Sequence, residues 1–288
     1  MIRVFPRRTK WTPKDNLAFV GEPGLFRPPE QSVFISVTFT WDIPEAERLY
    51  RSWSRFYPDV RLGGPAFDDP GDEFISGRFL EEGVTITSRG CTKTCPWCLV
   101  PAREGWIREI PVTNGWIIQD NNLLACKEDH IRSVFGMLGR QPKPARLMGL
   151  DAELLQDWHI PLLESIRLSD MWLACDYPGA IKHIKKASTM LSGFNIRKKR
   201  CYVLIGFDGE TTKQAEKRLE QVYQLGFLPF AMLYKSPDLQ HSWNDEWKKL
   251  QRKWSRPAAY RSKNFCPTRS QASSQVENQE QSTRGVEK

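Results

Sequence analysis

Three cysteines carry the chemistry of this chain. Cys91, Cys95 and Cys98 lie in Ser88-Arg-Gly-Cys-Thr-Lys-Thr-Cys-Pro-Trp-Cys-Leu-Val-Pro101, a C-x3-C-x2-C spacing. Iron–sulfur clusters are held by cysteine thiolates that a short loop brings together. A [4Fe–4S] cubane has four irons, and this loop offers three thiolates. One iron is then left for a ligand from outside the protein, and an open position marks a catalytic rather than a structural metal site. Zinc is the alternative, but a structural zinc site takes four Cys or His ligands. The first histidine of the chain is His130, far along the sequence. Three inert core thiols are the remaining alternative; free cysteine is often buried, but burial does not call for this packed Gly-Cys-x3-Cys-Pro-Trp-Cys loop.

The elements around the loop must position it. From Val84 onward, apolar runs of strand type alternate with stretches of helical period. Strands are expected at Val84–Thr87, Trp116–Asp120, Ala145–Gly149, Met171–Asp176, Cys201–Gly206 and Leu228–Tyr234. Helices are expected at Glu128–Leu138, Ala152–Ile166, Ala180–Leu191 and Thr212–Leu225. Such alternation predicts an α/β fold with a parallel sheet, either doubly wound or an incomplete barrel. The cysteine loop follows directly on the first of these strands, the end at which barrel enzymes place their chemistry.

Before this region, residues 1–80 form a small N-terminal α/β region. It holds a strand at Val33–Phe39, a helix at Ile43–Phe56 and a strand at Asp59–Leu62 that ends in Gly63-Gly64-Pro65. Those glycines would line a ligand crevice at a strand end or simply make a tight turn. Residues 81–263 are the main α/β region. They end in a basic helix with an apolar stripe of Trp243, Trp247, Leu250 and Trp254, best used as packing. Residues 264–288 are poor in apolar side chains and are expected to be a disordered tail.

The loop resembles the signature of the radical S-adenosylmethionine (AdoMet) superfamily, with the aromatic Trp97 just before the last cysteine. Arg-Gly-Cys and Leu-Val-Pro on its flanks are similar to the branch that contains cobalamin-dependent enzymes and methylthiotransferases. The likeness spans about Val84 to Tyr234 and implies a partial (β/α)6 TIM-type barrel. It implies a [4Fe–4S] cluster on Cys91, Cys95 and Cys98, with AdoMet chelating the open iron. Reductive cleavage of AdoMet would then give a 5′-deoxyadenosyl radical, the electron coming from an external flavodoxin- or ferredoxin-like donor.

The resemblance also implies AdoMet contacts. Tyr202-Val-Leu-Ile-Gly206-Phe-Asp-Gly-Glu210 is similar to the family's G-x-I-x-G-x-x-x-E segment along the adenine, which points to Gly206 and Glu210. Glu210 also suits a helix start. Where the family has Gly-Gly-Glu for the methionine amino group, this chain has Gln119-Asp120-Asn121-Asn122, so Asp120 or Asn122 would accept that bond. Asp176 ends the fourth strand, where the family places a polar residue on the ribose. Asp151 either joins it or caps the next helix. Residues 1–90 contain no histidine to offer to a cobalamin and no cysteine for a second cluster.

Bulk properties bound the alternatives. The chain has 288 residues and is 40% hydrophobic, enough for a core. Its N-terminus lacks an apolar signal region and no run is long enough to span a bilayer, so a soluble cytoplasmic protein is expected. The net charge of +8 suits a nucleic-acid partner or plain solubility; a nucleic acid is not favoured, because the tryptophan stripe is better used in packing. Two rival functions stand beside the enzyme: an iron–sulfur electron carrier without AdoMet, and a zinc-dependent nucleic-acid-binding module. No acid–base residue stands out, and the substrate is not legible.

Overall fold

A computed structural model describes residues 1–69, 74–236 and 243–261. The expected tail and Cys266 lie outside these residues. The first sheet contains β1 (Ile2–Phe5), β2 (Ala18–Val20), β3 (Val33–Ser36) and, after helix α1 (Ile43–Trp53), β4 (Val60–Gly63). Its order is β2-β1-β3-β4 and every pairing is parallel. β1 and β2 escaped the sequence reading. All four residues of β1 are buried, so it shows no alternation, and Arg3 within it reads as a surface residue. The structure keeps Arg3 inside by donating its guanidinium to the carbonyls of Gly77 and Arg78 at 3.1 and 2.9 Å. Ala46, Leu49 and Trp53 of α1 pack on Ile2, Val4, Val33 and Ile35 as one apolar cluster.

The second part follows as β5 (Val84–Thr85), β6 (Ser88–Arg89), α2 (Val100–Arg103), β7 (Arg108–Glu109), β8 (Ile117–Ile118), α3 (Glu128–Gly139), β9 (Ala145–Leu147) and α4 (His159–Ser165). Then come β10 (Leu168–Ala174), α5 (Ile181–Met190), β11 (Lys199–Ile205), α6 (Thr212–Gln224), β12 (Leu228–Leu233), α7 (Asp245–Trp254) and α8 (Pro257–Arg261). Six of these strands form a parallel sheet in the order β12-β11-β10-β9-β8-β5. β6 and β7 pair antiparallel as a separate ribbon.

The chain therefore lays each new strand beside the previous one and never reverses direction across the sheet. Parallel crossovers are right-handed, so connections that always step the same way put their helices on one face. Side chains alternate accordingly. In β11, Cys201, Val203 and Ile205 are buried with the helices, while Arg200, Tyr202 and Leu204 point the other way and are half-buried. Ala215, Leu219 and Val222 of α6 are fully buried in the same cluster, as their spacing predicts. Trp247, Leu250 and Trp254 of α7 are buried too, so the stripe is packing.

The helix expected from Ala152 starts only at His159. Pro161 has no N–H and is tolerated only in a helix's first turn, which forbids an earlier start. Asp151 accordingly caps no helix. Its Oδ1 accepts the Glu153 N–H at 3.0 Å in a local turn. Gly63-Gly64-Pro65 proves to be a tight turn. Gly64 has φ +102°, and a Cβ there would stand 2.9 Å from the Val37 carbonyl oxygen.

Among the described residues, no helix is long and apolar enough to cross a membrane.

Candidate metal and ligand site

The cysteine loop follows the C-terminal end of β5 and is entered through β6 and left through β7, which pair with each other at its base. Three ties close it. The Cys91 N–H donates to the Gly105 carbonyl at 3.2 Å, Cys98 N–H to the Cys95 carbonyl at 3.0 Å, and Gly90 N–H to Glu104 Oε2 at 3.3 Å. Gly90 (φ +81°) has to be glycine, since a Cβ there would lie 2.2 Å from the Trp106 carbonyl oxygen. Glu104 also accepts from Asn121 and pairs with Arg89, so one carboxylate gathers both ends of the loop and the tip of β8.

Asp120 performs a second gathering. Its carboxylate is 4% exposed and accepts from Thr87 N and Thr87 Oγ1 at 2.6 Å each and from Ser88 Oγ at 2.7 Å. Burial pushes its acid up from the ordinary value, against the pull of these donors. In this arrangement Asp120 is engaged in holding the start of the loop. Asn122 stands differently. It is 3% exposed, its Nδ2 lies 3.6 Å from Cys91 Sγ and 3.5 Å from Asp151 Oδ2, and its Oδ1 is buried with no partner. An unsatisfied buried acceptor of this kind costs stability unless a ligand or water meets it.

Cys91, Cys95 and Cys98 are all half-buried free thiols and line one cavity of about 170 Å³. Burial raises the Cys95 and Cys98 thiols above the ordinary value. Among the described residues no three His, Cys, Asp or Glu side chains have closed to metal-binding distance on a single point. The three thiols share one chamber but do not converge on a single point. Lys93, within the loop, reaches Asp151 at 2.6 Å and Glu153 at 2.8 Å. Burial opposes its charge, but the two carboxylates outweigh that and raise its pKa. They fasten the loop to the segment after β9.

A larger cavity of about 740 Å³ shares Trp97, Asp176 and Tyr177 with the cysteine chamber. This volume is within the range of small-molecule sites. Trp97 is wedged between Tyr177 and Phe207, with ring centroids 5.7 and 5.5 Å away. Asp176 accepts the Leu204 N–H at 3.2 Å. Burial raises its acid, while Leu204, Arg218 and the Trp97 side chain oppose the shift.

Gly206 and Glu210 have local roles. Gly206 has φ +80°, and a Cβ there would meet the Trp243 ring at 2.6 Å. The ring close to this backbone is the protein's own. Glu210 accepts the Gly206 N–H at 3.0 Å and pairs with buried Arg218 of α6. It does not cap α6: Thr211 does, in a capping box with Gln214. Cys175 and Cys201 are buried in the helix-side core, and Cys126 packs half-buried against it. Burial pushes the Cys175 thiol up to about 12. Glu104, Lys93, Thr87 and Ser88 are the site residues that sequence reasoning missed. Their only signal was proximity to the cysteines.

No protein-family model matches this chain, and no curated protein matches it in sequence.

Proposed function

We propose that this chain is a radical AdoMet enzyme whose six-stranded sheet is a partial (β/α)6 barrel, with residues 1–80 as a small N-terminal α/β unit. One observation carries the reading: three cysteines at C-x3-C-x2-C spacing line one chamber at the C-terminal edge of a parallel sheet. The strand order without reversal favours the barrel over a doubly wound sheet, which needs a switch point.

Cys91, Cys95 and Cys98 would hold three irons of a [4Fe–4S] cluster, and among the described residues no fourth thiol lines their chamber. A bound cluster and AdoMet would supply one-electron chemistry: an electron from an external flavodoxin- or ferredoxin-like donor would cleave a C–S bond of AdoMet to methionine and a 5′-deoxyadenosyl radical. The Oδ1 of Asn122, buried without a partner, would accept the amino group, and its Nδ2 lies 3.6 Å from Cys91 Sγ. Asp176 and Trp97, on the wall common to both cavities, would hold ribose and adenine. Asp120 would keep the loop in position, and Glu210 the Gly206 turn.

Anaerobic reconstitution tests the reading. The wild-type protein should hold close to four irons and four sulfides, by analogy with a single cubane. Cys91→Ala, Cys95→Ala and Cys98→Ala should each lose them, while Cys126→Ala keeps them. Reduced protein given AdoMet should release 5′-deoxyadenosine. Full iron in the Cys91 variant, or intact AdoMet over a demonstrably reduced cluster, would overturn it.

A further inference from the structure

The face of the six-stranded sheet that turns away from the helices carries a row of aromatic rings. Trp172 of β10 stacks on Tyr202 of β11 at 4.3 Å, and Phe230 of β12 meets both edge-on at 5.8 and 5.9 Å. All three rings are half-buried, whereas their strand neighbours Leu173, Cys201 and Ala231 are fully buried on the helix side. Parallel sheets are normally covered on both faces. Here one face presents large rings that the described chain only partly shields.

The row is flanked by charge. Asp170 accepts from the Trp172 indole at 2.6 Å and is paired with Arg146 at 2.8 Å, so those two charges offset one another. Arg200 lies 5.4 Å from the Trp172 ring and has no carboxylate partner among the described residues. Lys10, from the N-terminal unit, makes no ion pair among the described residues either. Burial and then repulsion from Arg146 lower its pKa, Asp170 opposes this, and Arg200 adds to the lowering. The Tyr202 hydroxyl makes no protein hydrogen bond among the described residues. The row therefore combines an apolar floor, an unpaired guanidinium, a neighbouring ammonium and a free hydroxyl.

It also leads toward the cysteine chamber. Side chains two apart on a strand share a face, so Trp172 and Ala174 follow one another along β10, and Asp176 comes two residues after its end. Ala174 and Asp176 line the cavity that holds the three thiols. At about 3.3 Å per residue, Trp172 sits roughly 7 Å below the Ala174 wall of that cavity.

We infer that this face binds a planar aromatic ligand bearing an anionic group, with Trp172, Tyr202 and Phe230 as the stacking surface and Arg200 as the charge partner. A ring spreads over the row, and its carboxylate or phosphate meets Arg200, whose guanidinium fork suits either anion. The site itself depends only on the sheet. Naming its ligand as the substrate rests on the proposed radical chemistry, because the ligand would lie within a few ångströms of the cysteine chamber.

Calorimetric titration of the full chain with indole-3-acetate and with phenyl phosphate tests the inference and separates carboxylate from phosphate. Saturable binding of at least one is expected. Arg200→Gln should raise its Kd about tenfold, the scale of one lost charge-assisted hydrogen bond, while uncharged indole binds both proteins alike. Trp172→Ala should weaken the anion and indole together, and Trp172→Phe should keep part of the affinity in a variant closer in shape. Circular dichroism melts verify that each variant folds. The absence of saturable binding by both anions, or unchanged affinity in folded Arg200→Gln and Trp172→Ala, overturns the inference. Iron and sulfide measured on the same samples keep the two readings apart: ligand binding without iron sinks the cluster alone, and iron without ligand binding sinks the aromatic site alone.

Discussion

Trp243 lies against Gly206, its indole filling the space in which any other residue would need a Cβ, 2.6 Å from the ring. The indole N–H donates to the Tyr234 carbonyl at 2.7 Å, and the ring meets Trp247 edge-on at 5.3 Å. The contact joins the turn after β11 to the start of α7. It accounts for the glycine without any ligand.

Gly206→Ala should therefore carry two separable costs. The left-handed backbone (φ +80°) costs a side chain about 1 kcal/mol. Crowding against the indole adds about 1–3 kcal/mol. Trp243→Ala combined with Gly206→Ala should recover the second part and leave the first. Urea unfolding of both singles and the double gives the coupling. Strict additivity would mean that the ring does not determine the glycine.

Much of this fold was legible because its signals are local. The β/α alternation follows from runs such as Ala215, Leu219 and Val222, whose spacing alone places them on one buried face. The cysteine spacing was legible in the same way. What escaped is long-range. Gly206 read as making room for a bound ring, and the ring that fills the room comes from 37 residues further along the chain. Asp120 or Asn122 read as a ligand contact; that Thr87 and Ser88, more than thirty residues earlier, use the Asp120 oxygens is announced by nothing in its neighbourhood. Arg218 drew no attention in the sequence, since a buried arginine is sensible only once Glu210 is known to face it. Polar partners distant in sequence leave no periodicity to read.

Asp120 makes the next prediction. Asp120→Ala strands the Thr87 and Ser88 donors in a buried site, where each costs about 1–3 kcal/mol. The loss falls at the root of the cysteine loop. Reconstituted Asp120→Ala should thus retain less iron than wild type although no thiol has been touched, and should lose it faster to a chelator. Asp120→Asn keeps one acceptor oxygen and should fall between. Equal chelation rates for all three proteins would remove Asp120 from the loop's support.

Glu210 and Arg218 should behave as a buried pair, with side chains 10% and 5% exposed. Removing one partner leaves a buried charge uncompensated, a loss of about 3–5 kcal/mol. Glu210→Gln should lower the melting temperature sharply, even though glutamine still accepts the Gly206 N–H. Replacing both by Gln and Met should cost less than Glu210→Gln alone. A double variant worse than the sum of the singles would mean that each side chain acts through other partners.

His159 gives a pH dependence of known sign. It is 2% exposed at the start of α4, and its Nδ1 accepts the Gln156 N–H at 3.0 Å, so that nitrogen carries a lone pair rather than a proton. Burial lowers its pKa below the ordinary 6.5. The charged groups that face it, Glu128 and Arg132 of α3, pull in opposite directions. Above pH 6.5 the ring is neutral in both folded and unfolded chains, and its contribution is constant. As the pH falls through 6.5, the unfolded chain takes up a proton that the folded chain refuses, so stability declines until the lower folded pKa is reached. The slope from one group is at most about 1.4 kcal/mol per pH unit. Urea denaturation between pH 7.5 and 5 should show this decline in wild type and a flatter profile in His159→Gln, whose side chain does not titrate. The same slope in both proteins would mean that His159 titrates alike in the folded and unfolded chains.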